Sequence, residues 1–248
     1  MYLYAMNQRF FLCICLGLIT SSVFSQLEIQ QQSSKKKGWK QEKTNTQVSF
    51  EFNRNTCFRT LIPNPDFLNK PLGERANEVS SNAWSYLLGL QTGLGRWLRF
   101  ESGVQLLQNG EEYSYTSTET DSTFHYTNRY RYMGLPLSLN LQYGAKFKVF
   151  LGPGINPLLF NRYVQEKEWT TALGSTSSAR FKEKNNQYTS AVLQAYLQAG
   201  MQYTGTNGWG LIAKATYRQQ LTNTYGKYSE VIHKPYAWGW SIGLVKKL

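Results

Sequence analysis

The sequence predicts an all-β fold: a closed, up-and-down, antiparallel transmembrane β-barrel of about eight strands, with short periplasmic turns and long extracellular loops. Three observations predict it. Apolar side chains recur at every second position through most of the chain. The connections between these alternating runs are short and long by turns. The polar face of the runs is crowded with glycine.

The N-terminus reads as a signal peptide over residues 1–25. Arg9 is its one cation, Phe10 to Ile19 is an unbroken apolar run, and Val23 and Ser25 supply the small-residue pattern for cleavage between Ser25 and Gln26. Met6 is an alternative start. The apolar run is about half the ~20 residues that a spanning helix needs. Residues 26–45 are polar, with Lys35, Lys36 and Lys37 in a row, and form a periplasmic lead-in. Residues 46–248 are the barrel. After cleavage Cys57 is the one cysteine, so no internal disulfide is expected.

Each strand follows from its alternation. Val48, Phe50 and Phe52 mark the first. Trp84, Tyr86, Leu88 and Leu90 lead to a turn over Gly93–Arg96, and Leu98, Phe100, Val104 and Leu106 continue on the next. The clearest run sets Met133, Leu135, Leu137, Leu139, Leu141 and Tyr143 against Gly134, Pro136, Ser138, Asn140 and Gln142. After the turn Gly144-Ala145-Lys146, the residues Phe147, Val149, Leu151 and Ile155 oppose Lys148, Phe150, Gly152 and Gly154. Leu193 to Tyr203 and Trp209 to Tyr217 make another hairpin about Gly205–Gly208, and Trp238, Trp240, Ile242 and Leu244 form the last strand. The links near 94, 145 and 206 are short, whereas those near 62–80, 109–126, 162–187 and 222–235 are long and polar. Pro136, Pro153 and Pro157 fall inside strands paired on both sides, so a bulge is expected where Pro136 approaches Pro153 and Gly154.

The apolar face points outward. A soluble lipocalin-like barrel would alternate similarly with that face inside, but its water-facing positions would favour Thr, Lys and Glu over Gly. A narrow lumen needs small residues beside large polar ones. Glu51, Arg99, Glu101, Lys148, Lys214 and Arg218 are the expected interior charges, and Tyr143, Phe147, Tyr203, Trp209 and Trp238 the expected interfacial aromatics. A mean hydropathy of −0.46 fits a wall in which only alternate residues meet lipid. The formal charge of +12 in an exported chain points to anionic lipid and lipopolysaccharide rather than nucleic acid.

Tyr132-Met133-Gly134-Leu135-Pro136-Leu137, followed by Phe147-Lys148-Val149-Phe150-Leu151-Gly152-Pro153-Gly154, resembles the central hairpin of the OmpX/OmpA-like and PorT-type outer-membrane β-barrel domains of Gram-negative bacteria. The resemblance implies an outer-membrane protein, with adhesins and assembly factors among its relatives. It also implies passage through the barrel-insertion machinery. The last strand, with Gly243 before alternating apolar residues, resembles the signal that machinery reads, although Lys246-Lys247-Leu248 stands in place of a terminal aromatic.

Little in the chain points to chemistry. Eight-strand lipid-modifying enzymes use Ser and His, and Asp121, Ser122 and His125 are the residues to weigh against that alternative; catalysis needs them to converge. His125 and His233 both fall on the outer rim, no metal-ligand spacing occurs, and no cofactor is expected. An eight-strand lumen filled with charge argues against a diffusion pore. The stretch about 108–128 is the more informative one. Its tip, YSYTSTETDSTFHYTNRYRY, is rich in strand formers, which predicts a hairpin protruding beyond the membrane and offering a sheet edge to a partner. Tyr113, Tyr115, His125, Tyr126 and Tyr130 are its candidate contact residues, for a surface or secretion-system protein.

Overall fold

The computed structural model describes residues 46–58, 60–65, 77–117, 119–183 and 187–248, so the signal-peptide and lead-in segments expected over 1–45 lie outside the described residues. In chain order the strands are β1 (Thr46–Phe58), β2 (Leu61–Pro63), β3 (Glu78–Val79), β4 (Ser81–Gly93), β5 (Leu98–Thr116), β6 (Thr123–Gly134) and β7 (Leu137–Gly144). They continue with β8 (Phe147–Thr170), β9 (Thr176–Glu183), β10 (Ala191–Thr204), β11 (Trp209–Gln220), β12 (Val231–His233) and β13 (Tyr236–Lys247).

The wall is a closed antiparallel ring of eight strands. It runs β1, β4, β5, the collinear pair β6 and β7, β8, β10, β11 and β13, and β13 closes it onto β1. Register gives the stagger. The row that leaves β1 at Gln47 passes Gln91, Glu101, Ser138, Gly154, Tyr196, Arg218 and Ala237, and returns to β1 at Cys57, ten residues further on. Eight strands with that shear tilt by about 45° and enclose a lumen that side chains fill.

The faces divide as the alternation predicts. Leu141, Trp240 and Ile242 point outward and are 63%, 73% and 70% exposed. Ser49, Glu51, Ser85, Asn140 and Lys214 point inward and are buried. Along β6 and β7 the outward apolar residues run from Met133 to Tyr143, a height of about 23 Å at ~3.3 Å per residue and that tilt. This is an inside-out protein: the charge is in the core and the hydrophobic surface is continuous around the outside.

The prolines behave differently from the expected bulge. Gly134 pairs Leu158, Leu137 pairs Ile155 and Leu141 pairs Leu151 without a change of register. The ladder lapses at Leu135–Pro136 and at Leu139–Asn140, which stand opposite Pro153 and Gly152. On its other side β8 stays paired with β10 through both Pro153 and Pro157. A proline lacks one donor, and here each missing donor faces one seam, so the strand continues across the gap. The register shift lies higher, between Arg131 and Tyr132, where Arg131 faces Arg162 while Tyr132 faces Phe160.

Two inward glycines show what the narrow wall requires. Gly89 and Gly103 face each other across β4 and β5, and a Cβ on Gly103 would overlap the Leu88 carbonyl and lie 2.9 Å from Gly89 Cα. Gly103→Val should therefore force the two strands apart and cost about 2–3 kcal/mol. Urea unfolding in lipid vesicles checks this, with an unchanged midpoint as the contrary result.

Candidate functional site

Three layers of side chains stack along the barrel axis. The lowest is a charge network. Lys214 of β11 lies between Glu51 of β1, 2.9 Å away, and Glu101 of β5, which it also contacts. Arg99 pairs with Glu101 at 3.3 Å and donates to Gln202 Oε1 at 2.8 Å, and its guanidinium lies 3.9 Å from the Phe150 ring centroid. Ser49 donates to Glu51 at 3.0 Å. Gln198 donates to Ser138 and Asn140, each at 3.0 Å. Two carboxylates thus meet two cations, and Ser49, Ser241 and Gln202 add hydrogen bonds to them, the kind of arrangement that lets charge persist in an interior. Beside Glu51, Glu101 and Lys214 the free space is about 40 Å³, roughly one water molecule.

Above it, Arg218 donates to Asn109 Oδ1 at 2.8 Å, to the Gln108 carbonyl at 3.3 Å and to Cys57 Sγ at 3.6 Å. Asn156 donates to Gln105 Oε1 at 2.7 Å.

The top layer is a plug. Leu107, Tyr130, Tyr132, Leu158, Phe160, Tyr163, Tyr188 and Val192 form the largest buried apolar cluster, with Tyr225 packed against it. Glu111 is buried at its centre, accepting from Asn128 Nδ2 at 2.6 Å and from Tyr130 Oη at 2.9 Å. His233 of β12 points Nε2 at Glu111 Oε2, 3.4 Å away, and Nδ1 at Thr224 Oγ1, 3.0 Å away. Burial, and then the Glu111 charge, push the Tyr130 phenol well above its ordinary value, so it stays a donor. β12 pairs with β2, which brings the first and last long connections together over the opening.

The wall then continues as a sheet past the apolar band. The upper parts of β5, β6 and β8 remain paired, and β9 adds a fourth strand, while β3 covers only Glu112 and Tyr113 on the far side of β5. The sequence predicts the β5–β6 hairpin but treats 162–187 as a loop, because TSSARFKE carries no alternating apolar signal. Among the described residues no strand pairs with the far side of β9, and on the opposite margin β5 is likewise unpaired over Ser114, Tyr115 and Thr116. On the face continuous with the lumen, Tyr115, Phe124 and Trp169 share one register row and are exposed, and Tyr113 stacks on Tyr126 at 5.3 Å in the next.

Of the residues singled out from sequence, Glu51, Arg99, Glu101, Lys214 and Arg218 lie buried in the lumen. Lys148 is half-buried at the short-turn rim. Tyr143, Phe147, Tyr203 and Trp209 point outward at that rim, and Trp238 outward on β13 at the level of Tyr217 and Thr56. Tyr113, Tyr115, His125 and Tyr126 lie on the projecting sheet, but Tyr130 is 1% exposed inside the plug and presents nothing to a partner. His233, expected on the rim, is also interior. Asp121 takes a left-handed turn conformation at the hairpin tip (φ 49°), and Ser122 Oγ is 2.7 Å from Thr120 Oγ1. His125 instead faces Glu112 at 3.7 Å and Thr127 at 3.5 Å, so these three do not converge on a common centre.

Glu111 was within reach of the sequence. Counting by twos from Arg99 and Glu101 keeps 107, 109 and 111 on the lumen face. His233 was not, since its strand has three residues and its partners come from other loops.

No family model matches the chain, and no curated protein matches it. Solved structures do resemble it. Neisserial surface protein A (NspA) is 15% identical, covering 82% of this chain and 97% of its own at a TM-score of 0.40. The outer membrane protein AlkL in lipid bilayers is 15% identical over 86% and 93% of the two chains, at 0.45. Outer membrane protein H (OprH) of P. aeruginosa is 14% identical over 82% and 99%, at 0.41.

Proposed function

We propose that this chain is an integral outer-membrane protein in which the barrel is the anchor and the projecting sheet of β5, β6, β8 and β9 is the working surface, with a structural or binding role. The observation that carries the reading is the exposed apolar band around a charged lumen. Water would not tolerate a continuous surface of Leu, Ile, Trp and Phe, whereas acyl chains solvate it. The band's height of about 23 Å is close to the ~25 Å apolar belt of outer-membrane barrels. A plugged lumen supports anchoring over conduction. The resemblance of the Tyr132–Leu137 and Phe147–Gly154 hairpin to OmpX/OmpA-like and PorT-type domains agrees with it, and the reading entails export followed by barrel insertion.

The working surface follows from the free β9 edge and the exposed aromatic row. A strand with one unpaired edge binds an extended segment through main-chain hydrogen bonds, and aromatics on the same sheet supply contact area, so a surface or secretion-system protein is the expected class of partner.

Two measurements test the reading. The protein should fractionate with outer membranes and need detergent to dissolve. Trypsin added to intact cells should cut at Arg180 or Lys182 in β9 and leave the barrel protected. A folded, monomeric protein in the soluble periplasmic fraction would overturn the anchor. Resistance of β9 on intact cells, with cleavage only after lysis, would overturn the orientation.

A further inference from the structure

The outward face of the projecting sheet carries an arrangement that neither anchoring nor strand addition uses. On β6 and β7 the outward residues are Tyr143, Leu141, Leu139, Leu137, Leu135 and Met133, and the next one up is Arg131. On β8 they are Phe147, Val149, Leu151, Pro153, Ile155, Pro157 and Leu159, and the next after the register shift is Arg162. Arg131 and Arg162 are therefore the first side chains above the apolar band on two neighbouring strands, and they are register partners.

Directly opposed like charges are destabilising, with Cβ atoms about 4.5–5.5 Å apart. No carboxylate relieves this pair: neither arginine has an ion-pair partner among the described residues, and Arg131 Nε is buried without a hydrogen-bond partner. The next row up adds Arg129 and, on β9, Lys182, in register through Val164. Carboxylates on this face enter only above them. Glu166 bridges Arg129 and Arg180 at 3.2 Å each, Glu112 faces His125, and Glu168 follows. Cations are thus concentrated at the edge of the band and neutralised higher up.

We propose that Arg131 and Arg162, flanked by Arg129 and Lys182, form a binding site for a phosphate group of an outer-leaflet glycolipid. A phosphate between two guanidiniums accepts charge-assisted, bidentate hydrogen bonds and turns their repulsion into attraction. A membrane source is favoured because the site opens sideways, immediately above side chains that contact acyl chains, at the depth of the headgroups. The assignment rests on the outer-membrane reading above.

The test uses the purified full chain in detergent, with lipid retention measured by native mass spectrometry. The probes are bis-phosphorylated lipid A, the same lipid with its phosphates removed, and inorganic phosphate as competitor. Wild type should retain the phosphorylated lipid about tenfold better than either the dephosphorylated lipid or the Arg131→Gln/Arg162→Gln variant retains it. Arg131→Lys/Arg162→Lys should keep part of the affinity, and Arg180→Gln, higher on the sheet, should keep all of it. Heat-modifiable mobility on gels verifies folding of each variant; should the double glutamine variant not fold, the two lipids on wild type decide the question. Equal retention of both lipids, or of the phosphorylated lipid by the folded glutamine variant, would overturn the site. Full displacement by millimolar inorganic phosphate would assign it to a soluble anion instead. Failure of fractionation bears only on membrane location, whereas these measurements bear only on the arginine pair.

Discussion

Lys214→Met is expected to destabilise the barrel by about 3–5 kcal/mol, the effect of removing one member of a buried ionic cluster. Lys214 is 3% exposed and is the cation shared by Glu51 and Glu101. Without it, Glu51 keeps the hydroxyls of Ser49 and Ser241 as partners but no positive charge in contact, and Glu101 keeps Arg99 as its one cation beside the Gln198 amide. The four groups balance, two carboxylates against two cations. Glu51→Gln/Lys214→Met restores the balance by leaving the Arg99–Glu101 pair alone, and should recover about 2 kcal/mol or more of the loss. Urea titration of the protein refolded in lipid vesicles, followed by tryptophan fluorescence, measures all three variants. A single variant as stable as wild type would show that the lumen admits enough water to solvate Glu51, contrary to the small free volume beside it.

The second large effect is expected at the outer opening. Glu111→Ala removes the acceptor for Asn128 and Tyr130 and the carboxylate facing His233. Hydrogen bonds to a buried charge are worth about 1.5–3 kcal/mol each, so the plug should lose about 3 kcal/mol of local stability. The loss is local because β12 and β2 are joined by three residue pairs and depend on the plug beneath them. Amide exchange of 223–235 and 61–65 should accelerate about 100-fold, while β1, β4 and β11 below keep their protection. Uniform exchange along the chain would show that the plug and barrel unfold as one unit. Glu111→Gln, which keeps an acceptor, should give a smaller change in the same segments.

Much of this architecture was legible in the residues. Period two persists over long runs because each wall strand has one face in the lumen and one outside, so Leu135 to Tyr143 and Trp238 to Leu244 declare their faces without further context. The lumen charges were legible for the same reason: Arg99 and Glu101 share the parity of Gly89's partner Gly103. The projecting sheet was half legible. The Tyr- and Thr-rich hairpin tip reads as strand, but β9 is exposed at nearly every position and has no apolar partner to impose a pattern.

By itself, the sequence determined the barrel class, the direction each strand faces and the alternation of short and long connections, because those depend on the side-chain order within one strand and its nearest turn. Only the tertiary structure decided the ten-residue stagger, the position of the bulge above the prolines, the burial of Tyr130 and His233, and the meeting of Arg131 with Arg162. These depend on register between strands and on loops far apart in the chain, as Glu111 and His233 are, and a local pattern carries no record of which distant segment closes over it.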